Sequence, residues 1–166
     1  MIEETSILPV FQSLDRRAIK LWRLSMAMNV LAILAVSSVG LFLPKVARHG
    51  YRPWVAGFML LLGAIGAAIA IWWPTRKYRG WGYRIDDRVI EIRSGVLWER
   101  VRLTPLSRLQ HVDLHRGPFE RRFGLASLVI HTAGTHAASI SIPGLDAEEA
   151  VRLRDHLVEI GGDDAV

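Results

Sequence analysis

Residues 54–73 read WVAGFMLLLGAIGAAIAIWW, twenty positions without a single charge. Residues 24–43, LSMAMNVLAILAVSSVGLFL, form a second window of the same kind. As a helix, each would reach roughly 30 Å, the thickness of a bilayer's hydrocarbon layer. In a soluble protein of 166 residues, two such helices would leave no polar face for water, so two buried core helices are the weaker reading. A signal peptide is the competing reading of residues 24–43. Against it, a long segment precedes the window, no small-residue cleavage pattern comes after it, and a second window lies shortly beyond. The expectation is an uncleaved two-span hairpin.

Working outward, the formal net charge of +5 divides unevenly. Residues 1–79 hold ten Lys and Arg against three Asp and Glu; residues 80–166 hold eleven against thirteen. The basic excess therefore flanks the spans. The remainder lacks the overall footprint of a nucleic-acid binder, and no nucleic-acid partner is expected. There is no cysteine, which excludes disulfides, thiolate metal sites and thiol nucleophiles.

Arg16, Arg17, Lys20 and Arg23 precede the first span, and Arg76, Lys77, Arg79 and Arg84 follow the second. The loop PKVARHGYRP between them holds only Lys45, Arg48 and Arg52. The positive-inside rule then puts both termini in the cytoplasm of a multi-pass membrane protein. Trp22, Trp72 and Trp73 would share the inner interface, with Tyr51 and Trp54 at the outer one. Residues 1–23 form a basic N-terminal segment. Within it SLDRRAIKLWR (residues 13–23) is either an interfacial helix or a simple extension of the first span. Gly63, Gly66, Ala67 and Ala70 place small residues one turn apart and are the candidate helix-packing positions. The first-span helix is the simplest partner for them, and a second subunit the sharper hypothesis. Asn29 reads as interhelical glue. With no ionisable group in either span, a channel or pump is not expected.

Residues 74–80, PTRKYRG, read as a short linker that keeps the remainder of the chain close to lipid. From Trp81 the periodicity becomes strand-like. Residues 83–86 and 89–93 are short β-rich runs around an Asp-Asp turn, and Ser94-Gly95 marks a tight hairpin into residues 96–103. Residues 109–115, 125–132 and 139–142 complete six short strands, which suggests an antiparallel sheet folded into a small barrel or sandwich. Glu99 breaks the alternation, at a bulge or a rim. Residues 146–160 read as a helix with Asp146 as cap, Glu148 and Glu149 in its first turn, and Ala150, Leu153, Leu157 and Ile160 as its apolar stripe. Gly161-Gly162 is expected to end it, leaving residues 161–166 as a tail. The fold class is a membrane α-hairpin plus an α+β domain over residues 81–160, its β-structure capped by a C-terminal helix as in pleckstrin-homology (PH) domains.

Gly95 is followed by Thr104-Pro105-Leu106, Arg108-Leu109-Gln110, Glu120-Arg121 and Gly124-Leu125-Ala126, then by Thr132-Ala133-Gly134 and the helix start Asp146-Ala147-Glu148-Glu149-Ala150. In this order after two spans, the chain resembles the bacterial PH-like membrane proteins of the YdbS type. The resemblance covers nearly the whole chain. It implies a PH-like fold, no established enzymatic activity and no defined catalytic residues. It also implies a partner in the same membrane, such as a larger relative carrying several PH-like domains.

The stretch LSRLQHVDLHRGPFERRFGLASL (residues 106–128) is the most crowded with reactive groups. Alternation puts Val112 and Leu114 toward the core and His111, Asp113 and His115 in a row on the other face. That row reads as the solvated face of an amphipathic strand. A metal shared with His131 of a nearby strand is the sharper alternative. No metal ligand, catalytic residue or cofactor is assigned: H-E-x-x-H, G-x-S-x-G and a phosphate loop are all absent from the cytoplasmic part. Arg116, Arg121 and Arg122 surround Gly117-Pro118, with Phe119 and Phe123 available to pack inward. Trp98, Arg100 and Arg102 would share one strand face. With Arg76, Lys77 and Arg79 these are the candidate contacts for acidic lipid headgroups or a protein partner. Otherwise they pair with Glu99, Glu120 and Asp113 and solvate the surface. The expected role is a non-enzymatic assembly or scaffolding subunit that binds lipid and another membrane protein, or itself, at the cytoplasmic face. A sensor of anionic lipid or envelope state is the alternative, and a metal-dependent enzyme a distant third.

Overall fold

Leu, Ile, Val and Ala dominate α1 (Arg17–Ser38) and α2 (Arg52–Arg79), the two helices long and apolar enough to cross a membrane. The computed structural model describes residues 11–39, 52–86, 88–133 and 139–163. Its contacts divide it into two units: residues 19–76, and the residues up to 18 together with those from 77 onward. In the first unit the apolar side chains point outward: Val36 is 75 % exposed and Leu60 76 %. Core helices of a soluble domain would bury these positions, so a hydrocarbon surround is the environment that fits them. The connecting loop, with Lys45, Arg48 and Tyr51, lies outside the described residues, as does the end of the first window after Val39.

Residues 74–80, expected as a short linker, are helical as far as Arg79, and Pro74 sits inside the helix with its ring buried. A proline frees one backbone carbonyl, a loss that neighbouring helices and hydroxyl side chains can offset in a spanning helix. The adjacent Thr75 hydroxyl accepts a 3.0 Å hydrogen bond from Arg23 Nη2, which ties the two helices together at that end.

The second unit carries two antiparallel three-stranded meanders. One is formed by β1 (Gly82–Ile85), β2 (Val89–Ser94) and β3 (Arg100–Pro105). A single 3₁₀ turn, Leu106–Arg108, leads to the other: β4 (Leu109–His115), β5 (Leu125–Thr132) and β6 (Ser139–Asp146). The short helix α3 (Pro118–Phe123) joins β4 to β5. The six expected strands are present, as two sheets of a PH-like sandwich and not as a closed barrel.

Alternation places Tyr83, Ile90, Ile92, Leu128, Ile130, Ile140 and Ile142 in the core, all buried. α4 (Ala147–Asp163) packs chiefly on β4 and β5 and buries Ala150 and Leu157 completely. Leu153 and Ile160, at the margins of its stripe, are half-buried. Gly161-Gly162 does not end it; the helix continues to Asp163. Glycine within a helix costs only about 1 kcal/mol per residue, which a terminal turn tolerates.

The expected strand at residues 96–103 begins only at Arg100. Gly95 has φ +146°, and a Cβ there would lie 1.9 Å from the Trp98 carbonyl oxygen. The chain folds tightly back on itself, so residues 95–99 form a wide turn that takes Trp98 off the strand face. Glu99 is in that turn and pairs with Arg93 at 2.8 Å, so neither a bulge nor a rim position is needed to explain it.

Candidate membrane and partner surface

The segment ahead of α1 contributes more to the β-domain than its sequence suggests. Residues 11–16 form no interfacial helix. Gln12 and Tyr83 exchange backbone hydrogen bonds of 2.8 and 3.0 Å, which extends the first sheet by a bridge beside β1. The Asp15 N–H donates to the Gly144 carbonyl at 3.0 Å, and the Tyr78 hydroxyl donates to the Leu14 carbonyl at 2.9 Å. The Arg17 guanidinium binds both Asp15 and Asp146, and donates to the Phe123 carbonyl.

Hydrogen bonding to Arg17 holds the Asp15 carboxyl below the usual carboxylate range. Asp146 is lowered first by the Glu148 N–H that it caps and then by Arg17. Beneath this clasp, burial and the neighbouring Glu149 carboxylate push the Tyr83 phenol well above its usual range, while its hydroxyl donates to Glu149 Oε1 at 2.7 Å. The clasp joins residues about 130 positions apart in sequence, beyond the reach of any local pattern.

The candidate arginines fall into separate groups. Arg76 stacks its guanidinium over the Trp72 ring at 3.7 Å, Lys77 is half-buried, and Arg79 is exposed at the end of α2. Arg100 and Arg102 lie on β3 and, with Trp81, Ile92, Ser94, Ile140 and Ser141, line a small cleft of about 190 Å³. Arg116 and Arg121 donate to the carbonyls of Leu125 and Arg116, and Arg122 is exposed in the last turn of α3. The expected carboxylate partners are engaged elsewhere. Glu120 accepts from the Gly117 N–H and the Ser127 hydroxyl at 2.7 and 2.6 Å, and Glu99 pairs with Arg93. Among the described residues none of Arg100, Arg102, Arg116, Arg121 and Arg122 forms an ion pair.

Phe119 does not pack inward. The six-residue helix α3 buries none of its side chains, which leaves Phe119 exposed and Phe123 half-buried. Among the described residues of this unit, the most exposed large apolar side chains lie at β3 and its turn: Leu97 is 71 % exposed, Trp98 79 % and Leu103 63 %, with Val101 beside them. β3 is also a sheet edge, so it has unpaired backbone groups next to uncovered apolar side chains.

A family profile described as "Bacterial PH domain" matches residues 24–159, taking in most of both spans and nearly all of the β-domain. The chain belongs to the bacterial PH domain family. It is also 30% identical over 142 residues to UPF0699 transmembrane protein YdbS of Bacillus subtilis (strain 168), across 84% of this chain and 85% of the relative. No solved structure matches it. With a transmembrane relative and two apolar helices, this bacterial PH domain protein is a membrane protein.

Of the glycines in α2, Gly66 lies tightest against α1. A Cβ there would lie 2.9 Å from both Val30 methyl carbons, whereas one at Gly63 would lie 3.4 Å from Leu34. Gly63, Ala67 and Ala70 line an apolar groove of about 880 Å³ together with Val30 and Leu34. In the bacterial PH domain protein Gly66 therefore lies against Val30 of α1, with room for no larger side chain. Asn29 is exposed on that hairpin.

Proposed function

We propose that this bacterial PH domain protein is a non-enzymatic assembly subunit of the bacterial inner membrane that binds another membrane protein at its cytoplasmic face. The observation that carries the reading is the uncovered edge strand β3. Val101 and Leu103, with Leu97 and Trp98 in the preceding turn, offer an apolar strip beside unpaired strand backbone. A partner's strand could pair there while its side chains cover the strip. Cytoplasmic termini are supported by the flanking basic residues and by the clasp, since residues 11–18 hydrogen-bond to the domain that follows the second span.

The cleft lined by Arg100 and Arg102 favours a second reading, recognition of an anionic lipid headgroup. Co-purification of the full chain from native membranes separates the two. A stable protein partner, lost from Leu103→Glu and retained by Arg100→Gln, supports assembly. Anionic lipid alone, lost from Arg100→Gln, supports the second reading. A bare monomer indifferent to lipid composition overturns both.

A further inference from the structure

Three metal-capable side chains meet on the outer face of the second sheet. His111 and His131 are direct cross-strand partners in the β4–β5 register, and Asp113 follows His111 by two residues on the same face. The two imidazoles stack with centroids 4.2 Å apart and planes 11° from parallel. Asp113 Oδ2 lies 3.3 Å from His131 Nε2 and 3.8 Å from His111 Nε2. One ligand atom from each residue lies within 4.8 Å of the other two.

We propose that His111, Asp113 and His131 form a binding site for a divalent transition-metal ion of the zinc–nickel class. Two neutral imidazoles and one carboxylate are borderline donors, which suit Zn²⁺, Ni²⁺ or Co²⁺ better than the all-oxygen ions Ca²⁺ and Mg²⁺. With metal–ligand bonds of about 2.0–2.2 Å, donor atoms around a tetrahedral ion sit roughly 3.3 Å apart. The Asp113–His131 pair is already at 3.3 Å, and the Asp113–His111 pair is 0.5 Å wider. His111 and Asp113 are exposed, so rotating them inward requires no repacking of the core. Three protein donors leave at least one coordination position open to water. His115, opposite Ser127 on the same face, is not one of the three. The site arises from register: β4 supplies the histidine and aspartate at spacing two, and β5 brings His131 alongside them.

The test is calorimetric titration of the full chain in detergent, without a polyhistidine tag, using Zn²⁺ and Ni²⁺. The expected result is one ion per chain. His131→Ala and Asp113→Asn should each weaken binding by at least about tenfold, while His115→Ala stays within about twofold of the parent. Absence of stoichiometric uptake overturns the site. So does uptake unaffected by either ligand variant, or equal weakening by His115→Ala, which would mark diffuse surface binding. Asp113→Asn changes neither the size nor the β-position of the residue, so it remains decisive if His131→Ala proves unstable.

Discussion

Asp146 joins two jobs at one carboxylate: it caps the first turn of α4 and receives Arg17 from the far end of the chain. Its proton affinity and that of Asp15 are both lowered in the folded protein. The unfolded chain therefore takes up these protons first, near pH 3.9. The stabilisation is complete above that value and is lost as pH falls through the lower folded values. Asp146→Asn keeps a side-chain oxygen for the cap but removes the charge. Its thermal unfolding temperature should lie slightly below that of the parent at pH 7, since an exposed ion pair contributes little, and the difference should shrink toward pH 3. Circular dichroism across that range measures it. The cap was legible in the sequence because Asp146 precedes Glu148 and Glu149 at the start of an apolar-periodic run. The Arg17 partner was not, because it lies 129 residues away. His111 and Asp113 were likewise visible by alternation, whereas the pairing with His131 depends on a register shifted by the irregularity between Leu109 and His111.

At the scale of elements, helices and short strands are both legible in the sequence, and the differences lie at their ends. Two uncharged windows became two helices, and the stripe of Ala150 and Leu157 became the buried face of α4. Strand alternation puts Trp98 on the face of Arg100 and Arg102, because alternation does not reveal the wide turn that Gly95 begins. Pro74 and Gly161 read as breaks, yet helix continues through both, since local propensity is only a weak constraint. Packing of α1 on α2 gives a sharp contrast. Gly66→Leu forces atoms into the space held by the Val30 methyls and should cost about 1–3 kcal/mol, seen as earlier thermal unfolding of the full chain in detergent. Gly63→Ala meets Leu34 at ordinary contact distance and should not lower the unfolding temperature.

On the scale of the whole molecule, the chain's lack of cysteine makes its topology directly measurable. Single cysteines at Ser13 and Ser107 should both resist a membrane-impermeant maleimide added to spheroplasts and both react after permeabilisation. Labelling of either one before permeabilisation would refute cytoplasmic termini. The clasp also orders events during synthesis. Gln12, Asp15 and Arg17 leave the ribosome first, but their partners Tyr83, Gly144 and Asp146 arrive only after both spans have been made. The earlier-made segment stays unpaired until the β-domain has been synthesised. In the proposed two-span arrangement, a chain whose second span failed to insert would strand the two halves of the clasp on opposite sides and leave β1 without its added bridge. Under that proposal, completion of this small domain reads out hairpin insertion, through the order of the chain itself.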